Sequence, residues 1–127
     1  AAPLMGNFKE RDGGYTSVGT SPFNSLLMCN DFATTFTFVP KGPLHTDVEL
    51  MWLVHKEAKE GKDYNLKNMI WMWDRTTIAD KKIIEDNQKG VLSKQYEPGP
   101  LSKMEKSLDS FKQWYLKRIN QAISVDS

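Results

Sequence analysis

This chain of 127 residues carries 17 Lys and Arg against 16 Asp and Glu, a net charge of +1. It has no basic block interleaved with aromatics, so nucleic acid is a poor partner. No apolar run approaches the roughly eighteen residues that a membrane span needs, and no signal peptide opens the chain. The single Cys29 permits no internal disulfide and falls short of the four protein ligands of an iron–sulfur cluster, and the composition suits a reducing cytoplasm.

The length predicts one domain over residues 1–127, with a sheet packed on helices. The chain begins Ala-Ala-Pro without a Met, which points to a piece of something longer. Residues 1–22, with Gly6, Gly13, Gly14, Gly19 and Pro22 among polar neighbours, read as an irregular arm. Antiparallel strands follow over 23–55. The run from Phe23 to Asp31 is a short strand. Phe32, Thr34, Phe36 and Phe38 then alternate with Ala33, Thr35, Thr37 and Val39, a strand pattern that Pro40 should end. Lys41-Gly42-Pro43 turns the chain into a strand from Leu44 to Val54, which has Val48, Leu50, Trp52 and Val54 on one face. Short links between sequential strands predict an antiparallel meander.

A long helix is expected over 63–94, with Asp63 or Asn65 as its cap. Two prolines in Tyr96-Glu97-Pro98-Gly99-Pro100 must break it. Ser102 with Glu105 forms a capping box for a last helix over 102–123, whose apolar face carries Met104, Leu108, Phe111, Tyr115 and Ile119. The fold class is therefore α+β: an antiparallel sheet packed on a long helix plus a C-terminal helix.

The long helix carries one misplaced charge. At about 100° per residue, Trp73, Thr76, Thr77, Asp80, Ile83, Ile84, Asn87 and Val91 share a face that should point inward. Lys81 with Glu85, Glu85 with Lys89 and Lys82 with Asp86 are spaced i,i+4 on the other side, where opposite charges pair in solvent. The helical neighbours of Asp80 are instead Thr76, Thr77, Ile83 and Ile84. A carboxylate buried among them must neutralise or find a cation. It is a candidate metal ligand, general base or ligand anchor, or else an acceptor for threonine hydroxyls, a strand side chain or a buried water.

The rest of the chain offers little to complete a site. His45 and His55 lie ten residues apart on one extended segment, about 33 Å, so they cannot share an ion. Cys29 has no adjacent base, no G-x-S-x-G elbow occurs and no glycine loop cradles a phosphate, so no catalytic residue is assigned. Trp52, Trp71 and Trp73 could cage a quaternary ammonium, although their strand and helix spacing equally suits a core.

The stretch from Asp80 through Glu85, Gln88 and Gly90, then Ser93, Tyr96, Pro98-Gly99-Pro100-Leu101-Ser102 and Glu105, resembles the C-terminal half of the catalytic domain of Rieske-type non-haem iron (ring-hydroxylating) oxygenase α subunits. The D-x4-E-x2-Q helix is most similar to the choline and carnitine monooxygenase-like branch. The upstream NDFATTFTFVPKGPLHTDVELMW also looks like that domain, and the likeness spans about residues 20–120.

The resemblance implies a partial helix-grip, START-like fold. It also implies a mononuclear Fe(II) held by two histidines and one aspartate, the facial triad that leaves positions open for O₂. Asp80 maps to that aspartate, and Thr76, Thr77, Ile84, Phe36 and Phe38 would line the substrate pocket. The paired histidines and the [2Fe–2S] Rieske motif are not in these residues, so the chain alone is expected to be inactive. A complete enzyme would take electrons from a reductase and hydroxylate or demethylate a small organic substrate. Unpaired sheet edges predict a homo-oligomer, a dimer for this chain alone. The alternative is a non-enzymatic helix-grip binding protein for an apolar small molecule, in which Asp80 anchors a head group.

Overall fold

A computed structural model describes residues 1–20 and 22–125; Ser21 of the expected arm, and Asp126 and Ser127, lie outside the described residues. The chain divides into two compact units, Ala1–Ile84 and Glu85–Ser127.

The first unit is built on a four-stranded antiparallel sheet in the order β1-β2-β3-β4, with β1 Thr16–Thr20, β2 Asn24–Met28, β3 Ala33–Gly42 and β4 His45–Leu53. The α+β class is thus the observed one. One strand was not expected, because β1 lies inside the stretch read as an irregular arm. Its sequence TSVGT offers little hydrophobic alternation, and the strand exists through its ladder to β2, from Thr16↔Met28 to Thr20↔Asn24. A second difference is at Pro40. The strand runs on to Gly42 because a register shift between Pro40 and Gly42 relieves the ladder where proline has no N–H to give. The turn is then Pro43-Leu44, closed by Gly42↔His45.

Register and the two-residue period assign the faces. Thr34 lies opposite Leu27 and Trp52, and Phe36 lies opposite Ser25 and Leu50, so these residues share one face. Thr34 is fully buried, and Phe36, Leu50 and Trp52 are half-buried. On the other face Met51 and Leu53 are exposed.

Residues before β1 are fastened to the β2–β3 turn. Met5 N–H donates to the Asn30 carbonyl at 2.8 Å, and Asp12 N–H donates to Asn30 Oδ1 at 3.1 Å. The buried Asp31 accepts from the Ala1 amino group, from Ala2 N–H at 3.3 Å and from Arg11 Nε at 3.2 Å. Burial by itself pulls the Asp31 carboxyl upward, but those donors outweigh it and hold the group below the ordinary 3.8.

After β4, a loop closes through Gly61, whose φ of 80° lies in the left-handed region that glycine enters without a Cβ penalty. Its N–H donates to the Tyr64 carbonyl at 2.8 Å. Asn65 then caps α1, Leu66–Val91, by accepting from Asn68 N–H at 3.0 Å. Asp63, the other expected cap, instead accepts from Lys59 N–H at 2.9 Å. Of the charges on the outer side of α1, Lys89 Nζ bonds Asp86 Oδ1 at 2.9 Å.

In the second unit the Pro98–Pro100 break is followed by a 3-10 turn, Lys103–Glu105, and α2, Lys106–Val125. Ser102 N–H donates to Glu105 Oε2 at 2.6 Å, which holds that carboxyl below its usual range. Among the described residues, no helix is long and apolar enough to cross a membrane.

Candidate functional site

The first half of α1 meets the sheet through Trp73. Met69 is buried at 6% exposure, Trp73 is half-buried, and the Trp73 indole meets the Phe36 ring at 5.2 Å between centroids with the planes at 67°. Edge-to-face pairing of this kind stabilises by about 1 kcal/mol beyond the area it buries. Met69, Trp73 and Thr77 follow at steps of four, and all three are removed at least partly from solvent. They mark the arc of the helix that is turned to the sheet.

Asp80 falls on that arc, about 20° from both Met69 and Trp73 at 3.6 residues per turn. The predicted direction therefore agrees with the arc, but the predicted burial does not occur. Asp80 is exposed, as are Thr76, Ile83, Ile84 and Asn87 of the same expected face, with Ile83 and Ile84 each 66% exposed. The physical reason is length. Twenty-six helical residues extend about 39 Å, and among the described residues only the first turns are covered. The Asp80 side chain has no hydrogen bond or ion pair among the described residues, and it is not held by threonine. Thr76 Oγ1 donates to the carbonyls of Met72 at 3.0 Å and Trp73 at 3.3 Å, so that hydroxyl serves its own helix.

The other expected pocket residues are divided. Phe36 lies under α1, half-buried against Trp73, and Thr77 is half-buried. Phe38, two residues farther along the same sheet face, is 40% exposed, and Ile84 is in the open. Exposure thus rises along both elements, from Thr34 to Phe38 on β3 and from Met69 to Asp80 on α1. Trp71 points away at 63% exposure, so the three tryptophans do not form one cluster. The structure adds a feature that alternation alone did not single out. Thr34 Oγ1 and Trp52 Nε1, on residues directly opposite each other in the β3–β4 ladder, are buried without a protein partner. Such atoms retain unused hydrogen-bonding capacity.

His45 stands at the β3–β4 turn with Nε2 3.1 Å from Asp47 Oδ1, and His55 Nδ1 accepts from Glu57 N–H beyond the other end of β4. No group of three or more His, Cys, Asp or Glu side chains among the described residues could hold a metal ion. By itself this donor set does not fit Fe(II): the chain offers one carboxylate where a facial triad needs three ligands. Burial, and then the neighbouring Asp31, push the Cys29 thiol up, partly offset by the Ala1 amino group, so it is no ready nucleophile. Surface hollows along α2, lined by residues such as Gln113, Leu116 and Lys117, contain none of the expected site residues.

The chain is 38% identical over 113 residues to the glycine betaine monooxygenase oxygenase subunit of Chromohalobacter salexigens, a match covering 88% of this chain and 25% of that protein. It is 35% identical over 125 residues to the glycine betaine monooxygenase oxygenase subunit of Pseudomonas aeruginosa, covering 98% of this chain and 29% of that protein. The chain therefore spans between a quarter and a third of the length of these relatives. The family model for the ring hydroxylating alpha subunit (catalytic domain) matches residues 1–121. That is the family the Asp80 helix and its following turn resemble, and the chain belongs to it.

Proposed function

We propose that this chain is the part of a Rieske-type oxygenase catalytic domain that contributes the Asp80 carboxylate to a mononuclear Fe(II) site. The two imidazoles would come from outside these 127 residues, as would the [2Fe–2S] cluster and the reductase that feeds it electrons. Bound Fe(II) in such a site would activate O₂, and the complete subunit would hydroxylate or demethylate a small organic substrate. The names of the relatives favour an N-methylated zwitterion of the glycine betaine type. On this reading the 127 residues alone are inactive, since one carboxylate does not hold Fe(II). Among the described residues β1 and β4 are the outer strands of the sheet, which supports a homo-oligomer, and elution of this chain as a monomer at every concentration in size-exclusion chromatography would oppose it.

The observation that carries the proposal is the position of Asp80. It is an acid on the sheet-facing arc of α1, free of any ion pair among the described residues, at the point where the cover over the helix ends. A side chain so placed is available to a ligand that arrives with the rest of the domain. The test is Asp80→Asn in the full-length oxygenase subunit, read by metal analysis. Mononuclear iron should fall to a small fraction of the unaltered level while the visible absorption of the [2Fe–2S] cluster is kept. A full complement of mononuclear iron in the variant would overturn the assignment.

A further inference from the structure

Resting on that oxygenase reading, we propose that the corner made by Phe36 and Trp73 receives the quaternary ammonium group of the substrate and selects for it. The rings meet at 67° with centroids 5.2 Å apart. Two ring planes at that angle enclose a corner between them. The ring faces carry the negative lobe of the aromatic quadrupole. A cation is attracted to such a face from within about 6 Å of the centroid. With centroids this close together, one trimethylammonium group in the angle comes within range of both rings.

Burial favours the same place. Both rings are half-buried, so a cation there loses part of its water and feels the rings more strongly than it would on an open surface, yet it can enter. Asp80 lies seven residues beyond Trp73, two turns or about 10 Å along the helix, on the same arc. The arc residues between them are Thr76 and Thr77, and no Lys or Arg there opposes a positive ligand. An aromatic pair and a carboxylate thus lie on one arc of α1. That pattern suits a small methylated cation bound between them. An anionic group would gain nothing from the ring faces.

The experiment compares two ligands of one shape on the full-length oxygenase subunit: glycine betaine and 3,3-dimethylbutanoate, in which carbon replaces the charged nitrogen. Calorimetric Kd values are measured for the unaltered protein and for Trp73→Leu, Phe36→Leu and the milder Trp73→Phe, with iron content determined on every sample. The unaltered subunit should prefer betaine, and each Leu variant should weaken betaine about ten-fold or more. The isostere with the uncharged head should change by less than about three-fold, and Trp73→Phe should fall in between and carry the test if Trp73→Leu does not fold. Equal losses for both ligands would reduce the corner to packing and overturn the proposal. So would unchanged betaine binding, or an unaltered subunit that does not distinguish the two ligands. Because binding is read separately from iron, retention of iron by Asp80→Asn would sink the metal assignment without deciding this one.

Discussion

The two halves of α1 have the same kind of sequence and opposite surroundings. Between Leu66 and Thr77 the helix buries Met69, sets Trp73 against Phe36 and half-covers Ile70 and Thr77. Between Ile78 and Val91 it exposes Ile78, Ile83 and Ile84, and only Val91 is half-covered. Apolar periodicity says where a face would point if something packed on it, and it is silent about whether this chain supplies that cover. Asp80 stands just past the change. Its position shares the arc of the packed half and the accessibility of the bare half, as the proposed role of a contributed metal ligand requires.

The largest effect expected from this contrast is on stability. Met69→Ala should cost the 127-residue chain about 2–3 kcal/mol, whereas Ile84→Ala, at a site 66% exposed, should stay within about 0.5 kcal/mol. On the proposed function the rest of the domain would cover the second half in the full-length subunit, and Ile84→Ala should there rise to about 2 kcal/mol. Urea unfolding of both variants in both proteins checks this, and equal costs in the short chain would erase the distinction between the halves.

A smaller effect concerns the other well-covered region, the fastening of residues 1–12 to the β2–β3 turn. The folded Asp31 carboxyl is held below its ordinary 3.8. Its contribution is therefore complete above about pH 4 and disappears as pH falls through the lower folded value. In the 127-residue chain, where the Ala1 amino group is one of the donors, Asp31→Asn should remove that pH dependence and cost about 1–3 kcal/mol near neutral pH. Unfolding curves that keep the same acid-side slope in the variant would show that the fastening does not depend on this carboxylate. The smallest change is expected from Asp80→Asn in the short chain, within about 0.5 kcal/mol. A larger loss would mean that Asp80 has a structural partner, and the contrast with iron loss in the full-length subunit would disappear.

Much of the fold was legible because its signals are local. Alternation in Phe32–Val39, the Asn65 cap, the prolines after Tyr96 and the Ser102 and Glu105 pair each act within a few residues, and the structure has the corresponding strand, helix start, break and capping contact. β1 was not legible, since a strand of Thr, Ser and Gly is made by its neighbour. Nor was the extension past Pro40, which depends on a bulge in the pairing with β4.

For the site, the sequence by itself determined the helical phase of Asp80, because 3.6 residues per turn fixes which side chains share an arc whatever surrounds them. It also carried the family likeness that the comparisons bear out. Only the tertiary structure decided that Trp73 meets Phe36 while Trp71 does not, and that cover ends before Asp80, since burial belongs to pairs of elements and no single segment encodes its partner's reach.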